Sequence, residues 1–208
     1  MSNPAERRLE AAELYEEALA RREQGNPSGA FARYRRVLEI ARELGDVRWQ
    51  AQLAAELGEM YHAGCDLIDA RRWYEEALEL FRQLGDGARE GETLLHLAEV
   101  EQLAGETSRA EALFRECLER QVAAGDRQRE GLVRSRLGRL LWGMKQEQAG
   151  MTELIRGWEL LAECSPAEAE AVLRRIRELR EQVGRVRFRR IVEAATDNPE
   201  HRKLITGT

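Results

Sequence analysis

The chain of 208 residues is 43% hydrophobic and 34% charged, which is enough to bury a sizeable core. Only 4 prolines and 17 glycines accompany abundant Ala, Leu, Glu and Arg, a composition that favours helix and excludes β sandwiches, collagen-like repeats and low-complexity disorder. No run approaches about 18 uncharged apolar residues, and residues 1–8 lack the basic and apolar regions of a signal peptide. We therefore expect a cytoplasmic protein that does not contact the membrane.

Charge and cysteine content narrow the classes of partner and site. Residues 1–170 carry 23 Lys and Arg against 33 Asp and Glu, whereas residues 171–208 carry 10 against 5. An acidic body disfavours nucleic acid over most of the surface, and the basic end is the exception. The three cysteines match no disulfide, zinc or redox pattern, and His62 with Cys65 supplies fewer ligands than zinc needs. We expect reduced thiols, no metal and no cofactor.

A period of 40 residues runs along the chain. The tripeptide Leu44-Gly45-Asp46 returns as Leu84-Gly85-Asp86 and, with Ala in first place, as Ala124-Gly125-Asp126. Other columns keep the same register, namely Leu57, Leu97 and Leu137, then Ala30, Ala70, Ala110 and Gly150, then Tyr34, Tyr74, Phe114 and Leu154. A fixed period of this length is the signature of stacked repeats.

Within each period, apolar residues at helical spacing predict two helices joined by a short turn. The predicted hairpins are residues 4–46, 47–86, 87–126 and 127–165. Glycine ends one helix in the left-handed conformation and aspartate caps the next, also at Gly64-Cys65-Asp66. Further predicted starts are Asn3-Pro4, Asn26-Pro27, Ser108 with Glu111, and Ser165-Pro166. We expect Gly58 to face Ala70 at a close helix approach, with Tyr74 packed against the neighbouring hairpin.

Beyond residue 165 the register decays. Residues 166–195 are predicted to form basic capping helices, with Val172, Ile176, Leu179 and Val183 on one side of the first. Residues 196–208 are predicted to be a mobile tail. Because a single hairpin cannot bury both of its faces, we expect an all-α fold, a right-handed α-solenoid of antiparallel helix pairs.

The second period resembles the tetratricopeptide repeat family, whose pattern is met by Leu57, Gly58, Tyr61, Ala70, Tyr74 and Ala77. The period of 40 exceeds the usual 34. The longer form looks like the repeats of LGN/Pins scaffolds and of sensor regions in bacterial regulators. The resemblance covers about residues 5–165, and it implies a helical repeat fold that binds proteins or peptides.

The resemblance also implies that the first helix of each pair lines a concave partner-binding groove. The candidate contacts are Tyr15, Gln52, Glu56, Glu59, His62, Glu92, Leu95, His96, Glu99, Leu103, Arg136, Arg139 and Trp142. The glutamates would meet Lys or Arg of a partner, and Leu95, Leu103 and Trp142 would anchor apolar side chains. The alternative is a solvated acidic face. The family's carboxylate-binding arrangement is not expected, because Ala55 and Glu59 stand where it needs Lys and Asn.

These features predict a non-catalytic adaptor or scaffold that binds a partner peptide or helix, and a basic, amphipathic segment is the candidate partner. The sequence contains no phosphate-binding loop, nucleophile elbow or cofactor fingerprint, so we expect no enzyme. Self-association through a terminal hairpin is a further alternative.

The basic end allows other interpretations. Its arginines could form a solvated cap, a latch onto the acidic groove, or a contact to nucleic acid or an acidic partner. The last would make the protein a regulator. The candidate contacts are Arg185, Arg187, Arg189 and Arg190.

Overall fold

The computed structural model describes residues 3–207, and its regular structure in this range is entirely helical. The helices are α1 (Pro4–Glu23), α2 (Pro27–Glu43), α3 (Val47–Ala63), α4 (Leu67–Leu84), α5 (Gly87–Leu103), α6 (Thr107–Ala124), α7 (Arg127–Gly143), α8 (Glu147–Cys164), α9 (Pro166–Val183), α10 (Arg185–Ala195) and α11 (Pro199–Thr206). None of these helices has the length and apolar character that a bilayer crossing requires. The predicted all-α class is confirmed.

Aspartates begin four of the helices as the sequence predicts. The side chains of Asp46, Asp66, Asp86 and Asp126 each accept a backbone N–H three residues ahead, at distances between 2.9 and 3.2 Å. These bonds satisfy one of the amides that a helix N-terminus leaves without a partner. Helix α6 departs from the prediction, because it begins at Thr107 after Glu106 and so places Ser108 inside the helix.

A residue with positive φ recurs every 20 residues at the turn after each of α1 to α7. Glycine occupies five of these positions, at 25, 45, 85, 105 and 125. Cys65 and Lys145 occupy the other two, with φ of 60° and 65°. The expectation that Gly64 takes the left-handed conformation is wrong, since Gly64 has φ of −79° and the next residue reverses the chain.

The described chain divides into two compact units, residues 3–104 and 105–207. In the first unit helices α1 to α5 pack in succession, from α1 on α2 to α4 on α5, and the core contains Tyr34, Leu38, Leu53, Leu57 and Phe81. In the second unit α6 to α9 pack in succession, and α10 and α11 pack on the end of that series. Its core contains Trp142, Leu154, Trp158, Ile176 and Phe188.

Helices α7 and α8 pack with their backbones in contact. A Cβ atom at Gly138 would lie 2.7 Å from the carbonyl oxygen of Gly150, and the reverse substitution would meet the Gly138 carbonyl at the same distance. Gly131 and Gly157 make a second close approach about two turns further along. Four glycines therefore form one seam between these helices.

In the first unit, Gly58 of α3 contacts an aromatic side chain of the neighbouring helix and not its backbone. A Cβ atom at Gly58 would lie 2.7 Å from the ring of Tyr74, so the aromatic side chain packs directly on the glycine of its own hairpin. Gly58 was expected to face Ala70, whereas the atoms nearest to a Cβ placed on it belong to Tyr74, whose ring also stacks on His96 of the neighbouring hairpin as expected.

The end of the chain differs from the predicted mobile tail. Asn198 caps α11 by accepting backbone N–H groups of Glu200 and His201, and Ile205 is only 1% exposed. The guanidinium groups of Arg177 and Arg180 donate to the carbonyls of Leu204 and Thr206 at 3.1 and 3.2 Å. Residues 199–206 are thus a docked helix, and the last residue of the predicted tail, Thr208, lies outside the described range.

Candidate functional site

The first unit contains a polar cavity of about 280 Å³. It brings together five of the predicted groove residues, Gln52, Glu56, Glu59, Glu92 and His96. The other lining residues are Arg22, Ala55, Tyr74, Phe81, Arg89 and Thr93. Helices α3 and α5 supply most of the wall because each presents a face that core packing does not use. We call this space the acidic cavity.

Tyr15 of the first hairpin fixes Glu56 in the wall of the acidic cavity. The Tyr15 hydroxyl donates to Glu56 Oε1 at 2.6 Å, and the Tyr15 ring meets Tyr34 edge-on with centroids 5.7 Å apart. Burial and then the Glu56 charge raise the pKa of Tyr34 to about 12. The other carboxylate oxygen, Glu56 Oε2, is buried and makes no hydrogen bond within residues 3–207. An unpaired buried carboxylate oxygen favours a ligand that donates to it.

Tyr74 carries a second unsatisfied polar atom at the acidic cavity. The side chain is 1% exposed, yet its hydroxyl has no hydrogen-bond partner among the described residues. Its ring stacks on His96 with centroids 5.6 Å apart and meets His62 edge-on at 6.5 Å. Burial raises the pKa of Tyr74, and the neighbouring Glu59 charge adds to that effect.

Glu59 is exposed and lines the acidic cavity. Desolvation is the main cause of its raised pKa; His96 opposes the shift, and Glu56 adds to it. A nearby cation from outside would lower that pKa and stabilise the charged form. The geometry thus favours a positively charged hydrogen-bond donor.

A second cavity of the first unit, about 460 Å³, adjoins the acidic cavity and shares Arg22 and Glu59 with it. The rest of its lining is Pro27, Ser28, Phe31, Met60, Ala63 and Gly64, so we call it the apolar cavity. The Phe31 ring packs on Tyr61 with centroids 4.5 Å apart. The sequence pattern did not predict this site. The residue that could have indicated an apolar site is Phe31, because it lies one position away from the core-facing apolar stripe of α2.

The remaining predicted contacts of the first unit lie outside the acidic cavity. His62 and Leu95 are half-buried, and Glu99 Oε2 lies 3.6 Å from His96 Nδ1. Leu103 is 64% exposed at the end of α5. Among residues 3–207, no three His, Cys, Asp or Glu side chains are grouped as a metal ion would require.

The second unit has a cavity of about 480 Å³ formed by α7, α8 and α9, and it contains the predicted Arg136 and Arg139. We call it the arginine cavity. Its full lining is Leu132, Ser135, Arg136, Arg139, Leu154, Glu168, Ala171, Val172 and Arg175. Burial lowers the pKa of Arg136, and the like charge of Arg139 lowers it further. The sequence pattern predicted only a capping role for α9 and did not indicate Val172 and Arg175 as lining residues.

Trp142 lies in the core of the second unit and is 9% exposed, unlike the exposed anchor that was predicted. Its backbone is part of the close approach to α8, since a Cβ atom at Gly150 would lie 2.8 Å from the Trp142 nitrogen.

The arginine-rich helix α10 is amphipathic. Phe188, Ile191 and Val192 are buried against the second unit. Arg187 donates two hydrogen bonds to Glu147 of α8, at 3.0 and 3.1 Å, and Arg189 pairs with Glu193 at 3.0 Å. Arg185 and Arg190 are exposed. These contacts favour the solvated cap over the latch or the nucleic-acid contact.

Comparisons with known proteins agree with this architecture. The family model described as tetratricopeptide repeat matches residues 49–121. No curated protein matches the chain significantly. The apo form of RapI superposes with a TM-score of 0.79 at 14% identity, covering 95% of this chain and 57% of RapI. A Rap protein complexed with competence and sporulation factor gives 0.67 at 12% identity, covering 95% and 55%.

A further similar structure contains nearly identical tetratricopeptide-like repeats of a kinesin light chain from Podospora anserina. Its TM-score is 0.66 at 16% identity, with 99% of this chain and 94% of that one covered. This chain spans little more than half the length of the two Rap proteins. The narrower resemblance to LGN/Pins scaffolds stays a prediction. Residues 49–121 match the tetratricopeptide repeat family, and the described chain has the helical-repeat fold of these similar structures.

Proposed function

We propose that the protein is a non-catalytic adaptor whose first unit binds a basic, amphipathic segment of a partner protein. A lysine or arginine of the segment enters the acidic cavity, and a neighbouring apolar side chain enters the apolar cavity. His62, Leu95 and Glu99 contact the flanks of the segment. A protein of similar fold, a Rap protein, has been crystallised with competence and sporulation factor, which supports capture of a partner by this architecture.

The observation that carries the proposal is the junction of the two cavities at Arg22 and Glu59. A polar pocket directly beside an apolar one selects a ligand with a charged and an apolar group at adjacent positions. Glu56 Oε2 and the Tyr74 hydroxyl offer unpartnered buried polar atoms on the polar side. A bound ammonium or guanidinium group would satisfy these atoms and offset the repulsion among Glu56, Glu59 and Glu92.

Selection of displayed random peptides on the full chain tests the proposal. We expect enrichment of sequences that place Lys or Arg beside Leu, Phe or Trp. The double variant Glu59→Lys/Glu92→Lys should weaken their binding by about tenfold or more, because it reverses two charges of the wall. Ala63→Arg, on the exposed edge of the apolar cavity, should weaken it also by filling the space.

The matched control is Glu79→Lys, an exposed glutamate of α4 outside both cavities. It changes charge in the same direction and should leave affinity within about twofold. Unchanged binding by the double variant, with helicity and melting temperature preserved, would move the partner site elsewhere.

A further inference from the structure

The arginine cavity of the second unit has the features of an additional binding site with the opposite preference. We propose that it binds an acidic amphipathic segment of a partner protein, with an apolar side chain on the cavity floor and a carboxylate against Arg136 and Arg139. The site shares no residue with the acidic or apolar cavity, so it stands or falls independently of the function proposed above.

The floor of the arginine cavity is apolar. Leu154 is buried, Leu132 and Val172 are half-buried, and Ala171 is exposed at the edge. A volume of about 480 Å³ accommodates a large aliphatic or aromatic side chain. Ser135 does not compete for the ligand's polar groups, because its hydroxyl already donates to the Gly131 carbonyl at 2.8 Å.

The charges at the rim are arranged for an anion. The charge of Arg134, on the same helix, is neutralised by ion pairs within the second unit, with Glu130 and Glu153 each 2.8 Å away. Arg139 is exposed and lines the same cavity as Arg136, and its like charge lowers the pKa of Arg136. Two guanidinium groups that repel each other in a partly desolvated site are stabilised by a carboxylate placed between them.

The remaining charged residues of the rim favour a peptide over nucleic acid. Arg175 is already paired with Glu178 at 2.9 Å, and Glu168 accepts a hydrogen bond from Gln128 at 3.1 Å. The Glu168 carboxylate would repel a chain of phosphates that passed along the rim. A single carboxylate beside an apolar side chain avoids that repulsion and also fills the floor, which a sugar–phosphate backbone cannot do.

Displayed random peptides selected on the immobilised full chain supply the probe. We expect a class in which Asp or Glu neighbours Leu, Phe or Trp. The affinity of such a peptide should fall by about tenfold or more in Arg136→Glu/Arg139→Glu. A peptide with Lys in place of its acidic residue should regain binding to that double variant, which a merely unfolded protein would not allow.

The matched control is Arg174→Glu, an exposed arginine of α9 that does not line the cavity. It should leave affinity within about twofold. The proposal is overturned if no acidic and apolar class is enriched, or if the class binds the double variant unchanged. It is also overturned if single-stranded DNA displaces the peptide and itself loses binding in the double variant, since the occupant would then be nucleic acid. Peptides of the basic class should bind all these variants, so failure here is distinguishable from failure of the first-unit site.

Discussion

Individual turn residues carry a conformational cost that depends on their side chain. At the position with positive φ after each helix, glycine is free of the clash between Cβ and the backbone, whereas Cys65 and Lys145 bear it. The cost of a non-glycine residue in this conformation is roughly 1–2 kcal/mol. Two of the seven turns are therefore less stable than the others by an amount that substitution can measure.

We predict that Lys145→Gly raises the free energy of unfolding by about 0.5–1 kcal/mol, since relief of the clash exceeds the added entropy of the unfolded chain. Gly85→Ala, the reverse change at an equivalent turn, should lower it by about 1 kcal/mol. Gly87→Ala is the control, because Gly87 has open space around it and no positive φ. Urea denaturation of the three variants measures the differences, and a destabilised Lys145→Gly would contradict the explanation.

The turn residues also show which features of a turn can be predicted from the local sequence. Each Gly-Asp pair marked a helix end and the next start correctly, because both effects depend on a residue's own backbone and the nearest amides. At Gly64-Cys65-Asp66 the same signal misplaced the left-handed residue by one. The residue directly before the capping aspartate takes the left-handed conformation. At this turn that residue is Cys65, even though the adjacent Gly64 would adopt the conformation more easily.

At the scale of helices, the seam of α7 and α8 contrasts with the α3–α4 pair. Gly138 and Gly150 place backbone against backbone, whereas Gly58 admits the ring of Tyr74. The first arrangement leaves no side chain that can move aside to accept extra volume. Substitution at the seam must therefore separate the helices.

We predict that Gly138→Ala lowers the free energy of unfolding by about 1–3 kcal/mol or more, because the new Cβ atom overlaps the Gly150 carbonyl. Gly143→Ala, on the same helix with nothing within 4 Å, should change stability by less than about 1 kcal/mol in either direction. Equal effects in chemical denaturation would show that helix propensity, and not the seam, decides the outcome.

Helix pattern alone could not place every candidate contact. The family resemblance, applied through the repeat register, predicted Glu56, Glu59 and Glu92 as groove contacts of α3 and α5, and the structure brings them together. It could not tell that the indole of Trp142 is buried, because an aromatic residue at a helix end fits either a core or a surface. That choice depends on how closely α8 approaches, which is a property of the pair.

At the scale of the whole chain, the net charge of −5 does not reveal that one cavity is rich in glutamate and another is rich in arginine. The acidic cavity belongs to the first unit and the arginine cavity to the second. The sequence showed the excess of acid before residue 171 and the basic end after it, yet the arginines of the second cavity come mostly from α7. The basic helix α10 was predicted as a candidate contact for an acidic partner, but its Arg187 forms an ion pair with Glu147 of the same unit.

The end of the chain belongs to the core of the second unit, and Asn198-Pro199 was the start signal that the tail prediction overlooked. We predict that Ile205→Ala lowers the free energy of unfolding by about 2–4 kcal/mol, because it leaves a cavity. Leu204→Ala, at a neighbour that is 44% exposed, should cost less than about 1 kcal/mol. Thermal melting of both variants measures this, and a mobile end would make the two changes equally mild.

The contact between the backbones of α7 and α8 also bears on how the second unit opens in its native state. Peptide groups that touch across the seam exclude water, and their release requires both helices to part together. Amide protons around Gly138 and Gly150 should therefore be among the last to exchange with deuterated solvent, while those of α11 exchange early, so that labelling over time would outline the seam as the most protected part of the unit.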